Sequence, residues 1–308
     1  MPKTGSPDRG STGSPLDVPH HDLPYQRVGT IDAETVRLLG WFAVILLALT
    51  TLIVLPTLLD VVNSAVLGTL TPVMMWAPTL ILFGLHRLRR RHGSFLGIAA
   101  VKPIRPVRRI VVISLLLLVG LSALPVLTEA LAVLLGLKSV SVSSDAWTLL
   151  PTVPVLVVAT MLITAGEEFA WRGYIQTLLA PWGYWRSSAA IGAFWSLWHI
   201  PLTVGYAASG DLLVRDVIST SVNLFLAAFV LSGVRYLSAS VWPAVLGHSL
   251  LNTVLVYVYS NFTTSISATA EMTFWTYTAL SWLVWLGLIA VTVQAVHRRR
   301  TADSTTIQ

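Results

Sequence analysis

Apolar residues along this chain fall into long blocks separated by short polar stretches, at 38–59, 65–85, 110–137, 148–171, 188–206, 217–236, 241–259 and 274–296. Each block is close to the ~20 residues that a helix needs to cross the ~30 Å hydrocarbon core of a bilayer. Backbone groups in that core must be satisfied internally, which leaves helices or a closed barrel. A barrel would show apolar and polar positions alternating over segments of about ten residues, and no such segments occur here. The pattern therefore predicts an all-α polytopic membrane bundle of about eight transmembrane helices, spanning residues 36–297. Residues 1–35, rich in Pro, Gly, Ser and Asp, are expected to form a disordered cytoplasmic tail, and residues 298–308 a short cytoplasmic C-terminal tail. The first apolar block starts too late and runs too long for the core of a signal peptide.

Charge gives the expected orientation. Arg87, Arg89, Arg90, Arg91, Lys102, Arg105, Arg108 and Arg109 lie between the second and third blocks, and Arg298, Arg299 and Arg300 follow the last. If these face the cytoplasm and eight spans alternate, only Lys138 and Arg215 of the 20 basic residues fall outside, in keeping with the positive-inside rule. Trp41, Trp147, Trp182, Trp185, Trp242 and Trp275 lie near block ends, where an aromatic belt would place them. No internal repeat of the kind common in transporters is visible.

Composition agrees with the pattern. The 308 residues are 55% apolar and 11% charged, against roughly a quarter charged in a soluble domain. The net charge of +6 sits at block ends, where it serves topology and contact with anionic lipid, so no nucleic acid partner is expected. The absence of cysteine excludes disulfides, thiolate metal sites and cysteine nucleophiles.

Ionisable groups inside spans are costly and mark functional sites. Here they cluster in three blocks. The fourth ends Thr-Ala-Gly-Glu-Glu-Phe-Ala-Trp-Arg-Gly, which brings Glu168 and Arg172, four apart, onto one helix face as an ion pair. Glu167, rotated by about 100°, lacks that partner and is left for chemistry. The fifth carries Trp195-Ser-Leu-Trp-His199, with His199 about 16 Å from the inner end of its helix. The seventh carries His248 and Asn252, four apart, with His248 about 12 Å from its inner end. Each feature alone has a plainer explanation: charges where a helix leaves the membrane, a buried hydrogen-bonded histidine, or polar glue between spans. Together, in the inner half of the membrane, they suggest one water-accessible cavity. Two mechanisms stand open. Glu167, with His199, is placed to act as general base on a water while His248 and Asn252 stabilise an oxyanion. Alternatively, Glu167, His199 and His248 fit a Zn²⁺ site with an open position for water.

Glu167-Glu168-x-x-x-Arg172, Trp195-x-x-x-His199 and His248-x-x-x-Asn252, in this order and on separate apolar blocks, resemble the intramembrane CPBP family. That family, also called Abi, comprises CAAX prenyl endopeptidases and bacteriocin-processing or immunity proteins. The resemblance covers about residues 160–253. It implies that Glu167 and His199 activate water, that His248 and Asn252 stabilise the oxyanion, and that Glu168 and Arg172 are a supporting pair. Trp195 stands where the family commonly has Phe, a packing or substrate-lining position. The resemblance leaves metal dependence open, with no cofactor required and Zn the candidate if one is bound. The expected activity is an intramembrane endopeptidase acting near the cytoplasmic face on a membrane-associated peptide or protein, which need not be prenylated. Against it stand a non-catalytic bacteriocin-immunity or membrane scaffold protein of the same fold, and a proton-coupled carrier, which the missing repeat disfavours. Glu129, near the end of the long third block, has no assigned role.

Overall fold

The computed structural model describes residues 29–305. Most of the N-terminal tail, with His20 and His21, lies outside the described residues. Every predicted apolar block is helical. The elements are α1 (Ala33–Leu58), α2 (Ser64–Met74), α3 (Ala77–Leu88), α4 (Val107–Leu134), α5 (Ala146–Leu178), α6 (Gly183–Ala208), α7 (Val214–Ser238), α8 (242–261) and α9 (Glu271–Thr305). The protein is a polytopic helical membrane protein.

Among the described residues, five helices (α1, α4, α5, α7 and α9) are long and apolar enough to cross a membrane, or six if α2 and α3 form one bent span. Eight was the expectation. The difference lies in α6 and α8, whose Trp, Ser, His, Asn and Tyr residues dilute the apolar run. Only 22–44% of the most apolar window of each of the five helices is buried against protein. Leu52, Leu116, Val119, Leu162 and Val291 stand 64–73% exposed on the perimeter, a surface that suits lipid and not water.

The second block is not one straight helix. Pro78, in the first turn of α3, cannot donate to the preceding turn, and α2 and α3 meet at 44°. The bend is filled from α5. A methyl group added at Gly166 would lie 2.7 Å from the Met75 carbonyl oxygen and from the Trp76 Cα and Cγ. Gly166→Ala is therefore expected to lower stability by about 1–3 kcal/mol through overpacking, read as a reduced melting temperature in detergent. An unchanged melting temperature would mean that α5 and the bend are not in contact.

Tertiary contacts sort the loops into two ends. At one, the Gly29 N–H donates to the Pro181 carbonyl, Val241 N–H to Ala100, the Trp242 indole to Val101, and Arg299 to Leu237. The start of the described chain, the basic loop and the end of α9 thus share one end. At the other, Arg215 pairs with Glu271 at 2.8 Å, and Val140 bridges Thr263.

Glu129 belongs to this second end and is structural. Its buried carboxylate pairs with Lys138 Nζ at 2.7 Å and accepts from the Tyr277 hydroxyl at 2.6 Å and from the Thr263 hydroxyl. Lys138 also lies 5.0 Å from the Tyr277 ring centroid. The cluster ties α4 to the segment before α9 and to α9 itself. Lys138→Met is expected to cost about 1–3 kcal/mol of stability, because the two hydroxyls still donate to the carboxylate. Lys138→Arg should recover most of the lost melting temperature, and no loss in Lys138→Met would remove the ion pair from the account.

Candidate active site

The site is built where α5, α6 and α8 meet. α5 and α8 are registered by two hydroxyls that donate across the interface, Thr164 to the Val245 carbonyl at 3.2 Å and Ser249 to the Val157 carbonyl at 2.6 Å. This register sets the Glu167-Glu168 pair opposite His248. Immediately after Glu168 the helix widens into a π-helix over Phe169–Ile175, a form often found at functional sites. A widened turn leaves carbonyls in need of donors, and the buried Arg235 Nε donates to the Arg172 carbonyl at 3.1 Å.

The two glutamates have different partners. Glu168, fully buried, receives Arg172 Nη1 at 2.8 Å, so the expected i,i+4 pair is present despite the π-turn. The same oxygen, Oε1, receives His248 Nδ1 at 2.9 Å. Glu167, 1% exposed, instead accepts from the Trp195 indole N–H at 2.7 Å through Oε2. The Arg172 guanidinium lies over the Trp195 ring, with Cζ 4.2 Å from its centroid.

The imidazoles are oriented by their acceptors. His199 Nδ1 lies 2.8 Å from the Trp195 carbonyl oxygen. A carbonyl only accepts, so Nδ1 carries the hydrogen and a neutral His199 presents an Nε2 lone pair. His199 stands within electrostatic reach of Glu167 and His248. His248 likewise donates its Nδ1–H to the Glu168 carboxylate. Its Nε2 is a lone pair when the ring is neutral and a second donor when it is the imidazolium.

Asn252 is not brought into this cluster. A second π-helix, Leu251–Leu255, begins one residue before it and breaks the α-helical register that would set it over His248. Asn252 is exposed, and its side chain makes no hydrogen bond among the described residues. It lines a groove of 310 Å³ between α5 and α8 with Thr160, Val256 and Tyr257. Trp195, expected as a packing or substrate-lining residue, is buried at the centre of the cluster.

The metal site fits less well. Among the described residues, no three His, Cys, Asp or Glu side chains are grouped closely enough to hold an ion. His248 meets Glu168 and not Glu167, and Glu167 Oε2 is taken by the indole.

Comparison with known families places these elements together. Residues 148–254 match the family of Rce1-like type II CAAX prenyl endopeptidases. The chain carries an Rce1-like domain. The match runs from the start of α5 into α8 and contains Glu167, Glu168, Arg172, Trp195, His199, His248 and Asn252. A search of curated proteins gives no match. The helices outside the Rce1-like domain supply much of its surroundings: Thr50 of α1 accepts from the Trp198 indole at 2.7 Å, beside His199.

Two buried partners escaped the sequence reading. His86, which directly follows the second block, is on α3 with its Nδ1 3.0 Å from the Tyr174 hydroxyl. Arg235, at the end of the sixth block, reads as a topology signal until its Nε is seen on the π-helix carbonyl. In both cases the visible cue was only an ionisable residue one or two positions from a block end.

Proposed function

We propose that this protein is an intramembrane endopeptidase that hydrolyses a peptide bond in a membrane-associated peptide or protein. The observation that carries the proposal is the division of labour between the adjacent glutamates. Glu168 is neutralised by Arg172 in a direct ion pair and shared with His248, whereas Glu167 makes no ion pair among the described residues and accepts from the neutral Trp195 indole. A buried carboxylate held by a neutral donor and not by a direct ion pair is costly and suits a general base.

In the proposed reaction a water is held between the Glu167 carboxylate and the Nε2 lone pair of His199. Glu167 takes a proton as the water oxygen attacks the scissile carbonyl carbon, and the carbonyl electron pair moves onto oxygen. His248, as the imidazolium stabilised by Glu168, donates Nε2–H to that oxyanion. The oxyanion collapses, the C–N bond breaks, and Glu167 passes its proton to the leaving nitrogen, giving a carboxyl and an amine. Asn252 is assigned to the substrate, its amide offering donor and acceptor to a backbone lying in the α5–α8 groove. We further propose that α6 and α8 also lie within the membrane, completing eight spans with α2 and α3 counted as one, and that the end bearing the basic loop and both termini faces the cytoplasm.

The test is cleavage of a membrane-peptide library by the purified full chain in detergent, beside Glu167→Ala and His248→Ala, with and without chelator. Cleavage lost in both variants and indifferent to chelator supports the reaction as written. Inhibition by chelator that Zn²⁺ reverses would move the activation of water to a metal. Identical traces from all three proteins would sink the enzymatic reading in favour of a binding or immunity role.

A further inference from the structure

Trp195 makes four contacts to the site from one rigid side chain and its own backbone. Its indole N–H meets Glu167 Oε2 at 2.7 Å, and its carbonyl takes the His199 Nδ1–H at 2.8 Å. Its ring carries the Arg172 guanidinium on one face, and its centroid lies 5.2 Å from that of His248 in an edge-on contact. With 1% exposure, none of these bonds competes with water, so each is stronger than it would be at a surface.

The chemistry of the donor matters. An indole N–H is neutral and can only donate, so it fixes the direction of a carboxylate oxygen without supplying a charge that would quench it. A cation in the same place would turn Glu167 into a second structural ion pair like Glu168–Arg172. Phe would fill the space but leave the carboxylate free to rotate, with a buried oxygen unpaired. The His199 contact comes from the backbone of the same residue, so one helix position carries both the donor to Glu167 and the acceptor that sets the imidazole tautomer.

We propose that Trp195 is a positioning residue for water activation, its indole N–H holding Glu167 and its carbonyl holding His199 so that both face one water. This rests on the reading of Glu167 and His199 as the water-activating pair. Trp195 touches neither water nor substrate, and it acts through the two groups that do.

Two measurements on the full chain in detergent test it. The first is the indole N–H resonance of Trp195 in protein labelled with ¹⁵N-tryptophan, assigned by its disappearance in Trp195→Phe. It should lie downfield and move upfield in Glu167→Leu. The second replaces Trp195 site-specifically with benzothienylalanine, which keeps the shape of the ring but has sulfur in place of N–H. The expected result is a fall in kcat of about 10- to 100-fold, the loss of one hydrogen bond to a charged group, with KM unchanged. Trp195→Phe should show the same kcat loss. A Trp195 resonance indifferent to Glu167→Leu, or wild-type kcat in the benzothienylalanine protein, overturns the positioning role and leaves the protease reading intact. Wild-type protein that cleaves nothing, with the resonance shift present, overturns the protease reading and the positioning role with it.

Discussion

Glu167→Gln is expected to lower kcat by about 10²- to 10⁴-fold, the range for removing a general base, while leaving KM and the melting temperature close to wild type. The amide keeps the shape of the side chain, and its carbonyl oxygen can still accept the Trp195 indole N–H at the 2.7 Å position now held by Oε2. Only the capacity to take a proton from water is lost. Glu168→Gln should behave in the opposite way. Its carboxylate neutralises a fully buried arginine and holds His248, so the amide should destabilise the protein before any effect on chemistry is read. Adjacent residues with opposite phenotypes, one in kcat and one in melting temperature, would be hard to explain for a site that only binds. Equal melting-temperature losses with residual cleavage in both would argue that the two carboxylates share one structural role.

Arg172→Met is expected to cause the largest loss of stability, on the order of 3–5 kcal/mol, because it takes the arginine away from a fully buried carboxylate. The corresponding fall in melting temperature is roughly 10 °C for a chain of this size, measured in detergent by loss of the folded fraction on heating. Arg172 and Glu168 are both 0% exposed, and Glu168 Oε2 has no hydrogen-bond partner among the described residues, so nothing there relieves the broken pair. Removing both charges, in Glu168→Met/Arg172→Met, should restore part of the loss, since an apolar pair avoids the desolvation cost altogether. A double variant no better than Arg172→Met would show that the guanidinium acts chiefly through the Trp195 ring and not through Glu168. That result would shift weight from the ion pair to the cation–π contact at 4.2 Å.

Much of the fold was legible because lipid imposes a simple rule. A backbone in hydrocarbon must bond to itself, so long apolar blocks had to be helical, and each is, the second as two helices that meet at a bend. The Glu168–Arg172 pair was equally legible, since i,i+4 spacing on a helix is geometry that sequence carries directly. The same logic failed for His248 and Asn252. Their spacing promises one face only while the helix stays α-helical, and the π-turn from Leu251 sends Asn252 to an outward groove. The bend between α2 and α3 was hidden for a related reason: a proline permits a kink, but a packed neighbour, here Gly166, selects its direction.

What the sequence by itself determined is a helical membrane protein whose motif residues sit on three helices, in a pattern of Glu, His and Asn that resembles the CPBP family. Periodicity, spacing and the price of burying charge are local properties and can be read without coordinates. Only the tertiary structure decided which partner each of those groups takes. Glu168 rather than Glu167 meets His248, the Trp195 indole meets Glu167, and Glu129 is tied to Lys138, Thr263 and Tyr277 from distant segments. Hydrogen bonds across helices depend on rotation and register of the helices that pack, and a change of one residue in either redirects a side chain by about 100°.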